Sequence, residues 1–230
     1  MKNFSKEKKN CHLVNLNLSK SDLQFQTFGN VSQRINEYLY VIKPSGVNLN
    51  KTNWKDYPII NIKNNHVMNG ALKPSSDTPT HTEIYRMSKD IGGITHAHSK
   101  YVTIWAQANK KIPNLGTTHS DYWKEDILIT KPLKKKEINT NYEKNTGVAI
   151  KKVFSSKKKL KENPGVLVAS HGGFCWGKNA EESYLNFQRL EFIAELAFKA
   201  LQINKKIKVS ETLKNKHFFR KHGIKAYYGQ

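Results

Sequence analysis

The chain has little cysteine, little acid and no long apolar run, and each shortage excludes something. Two cysteines in 230 residues, Cys11 and Cys175, cannot build a disulfide framework and form no CxxC pair, which predicts a reducing cytoplasmic setting. No apolar run approaches the roughly 20 residues of a membrane helix, so no membrane partner is expected. The segment from Met1 to Leu18 is basic and polar and lacks the apolar core of a secretory signal, so export is not expected either. With 7 prolines and 13 glycines there is no low-complexity linker, and no internal repeat is found, so residues 1–230 read as a single domain. The hydrophobic fraction of 37% is enough to build a core.

Acidic residues number 18 against 39 basic ones, a formal net charge of +21. Such an excess suits a polyanion partner when it is clustered. Here lysines are spread along the chain, as at Lys8-Lys9, Lys63 and Lys134-Lys135-Lys136. The expectation is therefore a dispersed surface charge and no nucleic-acid partner. A positive field would still steer a phosphorylated small molecule inward.

Periodicity predicts interspersed strands and helices. Residues 1–20 show little of it and read as a weakly ordered, divergent first segment. Strands are predicted at Leu23–Phe28, Tyr38–Ile42, Tyr57–Ile62, His66–Met68, Ile91–His98, Ile127–Thr130, Gly165–Ala169 and Phe174–Trp176. Helices are predicted at Thr80–Ser88, from Ser99 as N-cap through Asn109, at Glu137–Phe154, Asn179–Leu201 and Val209–Lys221. The pattern indicates a sheet covered by helices.

Three of the nine histidines fall where a metal would want them. His96 and His98 are two apart on a predicted strand, so both rings point to one face. His171 follows another apolar strand and precedes Gly172-Gly173, which would let the backbone come close to a ligand. Three imidazoles with an open fourth position suit a catalytic Zn²⁺, and an Asp can complete the set. Three turns also carry donors fitted to phosphate oxygens: Gly29-Asn30-Val31-Ser32, Lys43-Pro44-Ser45-Gly46 and Lys73-Pro74-Ser75-Ser76-Asp77.

Taken together, these segments resemble the class II aldolase and epimerase family. The likeness runs through Val41-Ile42-Lys43-Pro44-Ser45-Gly46-Val47, Lys73 to His81, Ile91-Gly92-Gly93-Ile94, His96-Ala97-His98-Ser99 and Gly116-Thr117-Thr118-His119-Ser120-Asp121-Tyr122. It continues through His171-Gly172, Trp176-Gly177-Lys178-Asn179 and Arg220-Lys221-His222-Gly223 to Gln230, and covers roughly residues 22–230. The resemblance implies an α/β fold of three layers, α/β/α, with a mostly antiparallel central sheet. It implies one Zn²⁺ per subunit, held by His96, His98 and His171 with Asp77 as a further carboxylate, and a sugar-phosphate substrate. Gly29, Asn30, Lys43, Ser45, Gly46, Ser75 and Ser76 match the substrate and phosphate loops. Asp121 and Tyr228 match the acid/base pair, with Tyr228 reaching in from a neighbouring subunit of a homotetramer, and His217 lining the same site.

Within the family the likeness is to the branch that interconverts L-ribulose 5-phosphate and D-xylulose 5-phosphate. The implied route is retro-aldol cleavage between C3 and C4, rotation of the aldehyde and re-addition. The alternative is an aldolase of the same family, of the fuculose- or rhamnulose-phosphate type. Asp rather than Glu at position 77, together with the Thr117 to Tyr122 motif, favours the epimerase.

Overall fold

The computed structural model describes residues 4–224 and 226–228. Its strands are β1 (Asn30–Arg34), β2 (Leu39–Ile42), β3 (Ile59–Asn61), β4 (Val67–Asn69), β5 (Gly93–Ala97), β6 (Gly165–Val168) and β7 (Gly172–Gly177). They form one seven-stranded sheet in the order β4-β3-β2-β1-β5-β7-β6, antiparallel at every pairing. The helices are α1 (Ser5–Ser19), α2 (Thr78–Tyr85), α3 (Lys100–Gln107), α4 (Thr117–Ser120), α5 (Lys135–Asn139), α6 (Tyr142–Val153), α7 (Lys157–Glu162), α8 (Ala180–Ile203) and α9 (Glu211–Lys221).

The central strands alternate their side chains between two cores. On β6 and β7, Leu167 and Cys175 join one face with Val102 and Trp105 of α3, Phe187 and Leu190 of α8, and Val14 and Leu18 of α1. Val166, Val168, Phe174 and Trp176 join the other face with Ile84 and Tyr85 of α2, Ile150 of α6 and Leu160 of α7. The period-2 alternation of strands thus divides a helix layer onto each side of the sheet. This is the three-layer α/β/α arrangement with an antiparallel sheet. Among the described residues no helix is long and apolar enough to cross a membrane.

Where sequence and structure differ, the reasons are local. The N-terminal segment is a well-anchored helix: α1 buries Cys11, Val14 and Leu18, and its Asn15 exchanges hydrogen bonds with the Val31 backbone at 2.8 and 3.0 Å. Its polar periphery hides that stripe from a periodicity count, and Met1 to Asn3 lie outside the described residues. The strand expected at Leu23–Phe28 is a run of turns, with Gln26 at a positive φ of 52° and the Phe28 amide donating back to the Phe25 carbonyl. The first strand begins only at Asn30.

Ile127–Thr130 makes no strand because its residues bridge two different partners, Ile127 to Ile112 and Ile129 to Leu167. The helix expected over Glu137–Phe154 breaks at Thr140, whose backbone leaves the helical region at φ −105° and ψ −83°. Ser99 does stand at the start of α3, but its side chain does not cap it. The Glu191 carboxylate of α8 accepts from the Tyr101 and Val102 amides at 2.8 and 2.9 Å and from the Ser99 hydroxyl at 2.6 Å.

Candidate metal centre

The antiparallel register of β5 and β7 builds the site. His96 lies opposite Phe174, and Ala97 opposite Gly173, so His98 leaves β5 where His171 enters β7. The Phe174 ring stacks on His96 with centroids 4.1 Å apart, which holds that imidazole against the sheet. The three Nε2 atoms form a triangle: His96–His98, His98–His171 and His171–His96 are each 3.2 Å apart. A tetrahedral ion bonded to imidazole nitrogens at about 2.0–2.1 Å sets such nitrogens about 3.3 Å apart. The triangle therefore matches one face of a tetrahedron, leaving the fourth corner for a substrate oxygen, and the three residues fit a single divalent cation.

Space around the triangle is kept by glycine. A Cβ on Gly172 would come within 2.9 Å of the Ala97 carbonyl and 3.2 Å of the His98 ring. Gly29 adopts φ +120°, and a Cβ there would meet the His96 carbonyl at 2.9 Å. Only glycine lets the β1 turn approach the histidine strand this closely.

Electrostatics favour neutral imidazoles at His98 and His171. Burial, with His96 close by, pushes His98 down to about 4 and His171 down to about 3. Asp77, at the start of α2, sets its Oδ2 3.9 Å from His96 Nε2. Burial opposes ionisation of Asp77, yet the neighbouring His96 and His81 and a hydrogen bond from Asn30 together hold its carboxyl below the usual range. Asn30 donates to Asp77 Oδ2 at 2.7 Å and to Ser75 Oγ at 3.2 Å. Asp77 thus stands beside the three histidines but outside their triangle, with one oxygen engaged by Asn30.

The donor-rich loops converge on the same place. The turn carrying Lys43, Ser45 and Gly46 is laced to the one carrying Ser75 and Ser76: the Ser45 amide donates to the Lys73 carbonyl at 2.9 Å and the Ser75 amide to the Lys43 carbonyl at 3.0 Å. Ser45, Gly46 and Ser76 are exposed, whereas Gly29, Asn30, Lys43 and Ser75 are buried. Among the described residues the Lys43 ammonium makes a single hydrogen bond, 3.4 Å to the Thr27 carbonyl. Burial lowers its pKa and the nearby Asp77 opposes that shift.

Asp121 belongs to a second cluster, held by α9. Its carboxylate accepts from Arg220 at 3.1 and 2.8 Å and from His217 Nδ1 at 3.0 Å, with Lys221 at 3.6 Å. Tyr228, half exposed, hydrogen bonds through its amide to the Arg220 carbonyl and stacks under the Arg220 guanidinium at 4.4 Å. Asp121, His217 and Tyr228 are thus brought together on one chain, and the groups holding the Asp121 carboxylate all come from α9 rather than from the histidines.

Sequence reasoning missed two side chains of the site. Phe174 reads in sequence only as a strand residue. Tyr142, the first residue of α6, places its phenol oxygen 2.8 Å from His171 Nδ1. Nothing in the spacing around Asn141-Tyr142-Glu143 signals that contact, which exists only because α6 begins beside β7.

Comparison with known proteins places this geometry in a family. Residues 12–198 match the family described as Class II Aldolase and Adducin N-terminal domain. An L-fuculose 1-phosphate aldolase superposes with a TM-score of 0.78 at 22% identity, covering 95% of this chain and 97% of that one. YgbL of Klebsiella pneumoniae, a putative aldolase/epimerase/decarboxylase, gives 0.73 at 17% identity over 92% and 97%. An L-fuculose-1-phosphate aldolase of Thermus thermophilus gives 0.67 at 18% identity over 86% and 97%. The chain belongs to the class II aldolase and adducin N-terminal domain family. At these identities the solved structures speak for the fold.

Proposed function

We propose that the chain is a zinc-dependent isomerase that interconverts L-ribulose 5-phosphate and D-xylulose 5-phosphate by cleaving and remaking the C3–C4 bond. The observation that carries this reading is the 3.2 Å triangle of His96, His98 and His171 nitrogens beside the Asp77 carboxylate and the Asn30, Lys43 and Ser75 donors. On this reading a metal and a phosphate take adjoining places there.

Inversion at C4 by simple deprotonation is hard, because the C4 hydrogen is not next to the carbonyl. Retro-aldol cleavage avoids this by producing an enediolate and glycolaldehyde phosphate, whose aldehyde can turn and be attacked on its other face. A divalent ion held by the three histidines would supply Lewis-acid stabilisation of the negative charge on the ketose end. Gly29, Asn30, Ser45, Gly46, Ser75 and Ser76, with the Lys43 charge, would hold the phosphate end so that the aldehyde turns without escaping. Two proton handlers are needed, one on each face of the C4 oxygen, and Asp121 and Tyr228 supply them. Because Asp121, His217 and Tyr228 form their own cluster, the reading has that cluster act on the metal centre of a neighbouring subunit in a homotetramer. The working location is the cytoplasm.

The test is incubation of the purified protein, loaded with zinc, with L-ribulose 5-phosphate. D-xylulose 5-phosphate should form without accumulation of glycolaldehyde phosphate. Release of that aldehyde as the main product would make the chain an aldolase instead, and no turnover of either kind would sink the reading.

A further inference from the structure

The three imidazoles are not held alike. His96 is fixed twice: its Nδ1 lies 2.8 Å from the Gly173 carbonyl, and the Phe174 ring stacks on its face. His171 Nδ1 meets the Tyr142 hydroxyl at 2.8 Å. His98 makes no hydrogen bond through Nδ1 among the described residues, and its Nε2 contacts run to the other two histidines. The Cβ–Cγ torsion of a histidine is broad, so a ring with no partner at its far nitrogen turns freely unless its face is packed. Among the described residues, the aromatic ring beside His98, other than the two histidines, is that of Phe28. It is stacked with centroids 5.9 Å apart and planes at 30°.

Strand register brings Phe28 there. Asn30 lies opposite His96 in the antiparallel pairing of β1 with β5. Carried two residues past the strand ends, the same register sets Phe28 opposite His98, where cross-strand side chains touch. Gly29 keeps the step between them close: a Cβ built on it would sit 3.4 Å from the Ala97 Cβ. The turn is also anchored from behind. The Phe28 amide donates to the Phe25 carbonyl at 3.1 Å, and the Thr27 carbonyl accepts from the Lys43 ammonium at 3.4 Å. Phe28 nonetheless remains 51% exposed and belongs to none of the three buried cores. Its ring therefore covers the histidine without filling the interior.

We infer that Phe28 is a positioning residue of the metal site, and that its ring sets the plane of His98. It does for His98 what Gly173 and Phe174 do for His96 and what Tyr142 does for His171. A site holds its ligands in productive geometry only when their rotamers are locked by neighbours, and this stack supplies the lock that no hydrogen bond supplies. The place calls for a flat ring: leucine is apolar but has no face to lie against an imidazole, whereas tyrosine keeps that face. The inference rests on the metal reading of the three histidines but not on which sugar phosphate is turned over.

The test uses the whole chain and zinc as probe. Zinc affinity measured by chelator competition should fall about 3- to 10-fold in Phe28→Leu, the span that an aromatic pair's contribution converts to, and stay within about twofold of wild type in Phe28→Tyr. Urea unfolding of metal-free Phe28→Leu should keep the wild-type midpoint, because the ring lies outside the cores. A Phe28→Leu variant within about twofold of wild-type affinity, short of that span, would overturn the inference and leave the metal reading intact. Phe28→Tyr weakened as much as Phe28→Leu would do the same. A lower midpoint in metal-free Phe28→Leu, failure to fold included, would also overturn it, by making the ring part of the fold. Wild-type protein that binds no zinc would overturn both readings.

Discussion

Asp121 shows how little a residue's type says until its partners are known. Read in sequence it is an acid before an aromatic pair, equally fit to cap a helix. In the structure Arg220, His217 and Lys221 converge on its carboxylate. Burial opposes ionisation, but the Arg220 and His217 hydrogen bonds and the Lys221 charge hold the group below the usual carboxylate range. Asp121 is thus ionised at neutral pH. Asp121→Asn should leave zinc content unchanged and lower epimerisation by roughly 10²–10⁴, read by metal analysis and product assay on the same preparation. Full activity in that variant would remove Asp121 from the chemistry. The histidine cluster was legible in the sequence because His-x-His along an extended run puts two rings on one face, a rule of backbone geometry, although β5 itself ends at Ala97. Tyr142 was not, since its distance from His171 is set by how a helix start meets a strand start 29 residues later.

At the scale of elements, the long amphipathic helix α8 and the apolar strands β6 and β7 were visible as pattern. The failures came where tertiary contacts overrule it. The start of α3 is an instance: Glu191, half-way along α8, takes the capping role expected of Ser99 and ties two helices of one layer together. Hydrogen bonds to a charged group contribute about 1.5–3 kcal/mol each, but water recovers much of the three bonds lost at a helix start, so Glu191→Ala should destabilise the fold by about 3 kcal/mol. Denaturant unfolding would show this as a lower midpoint, with zinc binding almost unchanged because His96 is held on β5 and His98 and His171 at the ends of β5 and β7. A loss below about 0.5 kcal/mol would mean that water replaces the carboxylate at the helix start. The N-terminal helix α1 escaped notice for a related reason: its anchoring comes from Asn15 bridging to β1 and Cys11 buried beneath it, features that no periodicity count registers.

For the whole molecule, the family and the layered fold were readable from ordered motifs, and the homotetramer rests on the resemblance alone. Two clusters now stand on one chain, the histidine triangle and the Asp121–Tyr228 group, and the proposed mechanism needs both at one substrate. If the second cluster serves a neighbour's triangle, two dead variants can rescue each other. Mixing Asp121→Asn with His96→Ala at equal amounts, after dissociation and reassembly, should restore roughly one quarter of wild-type activity, the share of head-to-tail interfaces that unite two intact halves. Activity at background would place both clusters in service of the same chain or deny them a common reaction.

All of this stands on a single ion shared by three imidazoles, and metal content tests that most directly. Protein purified without chelator and dialysed against dilute zinc should hold one zinc per chain, and His98→Ala, still folded by circular dichroism, should hold none. Wild-type protein without zinc, or His98→Ala retaining a full equivalent, would contradict the account.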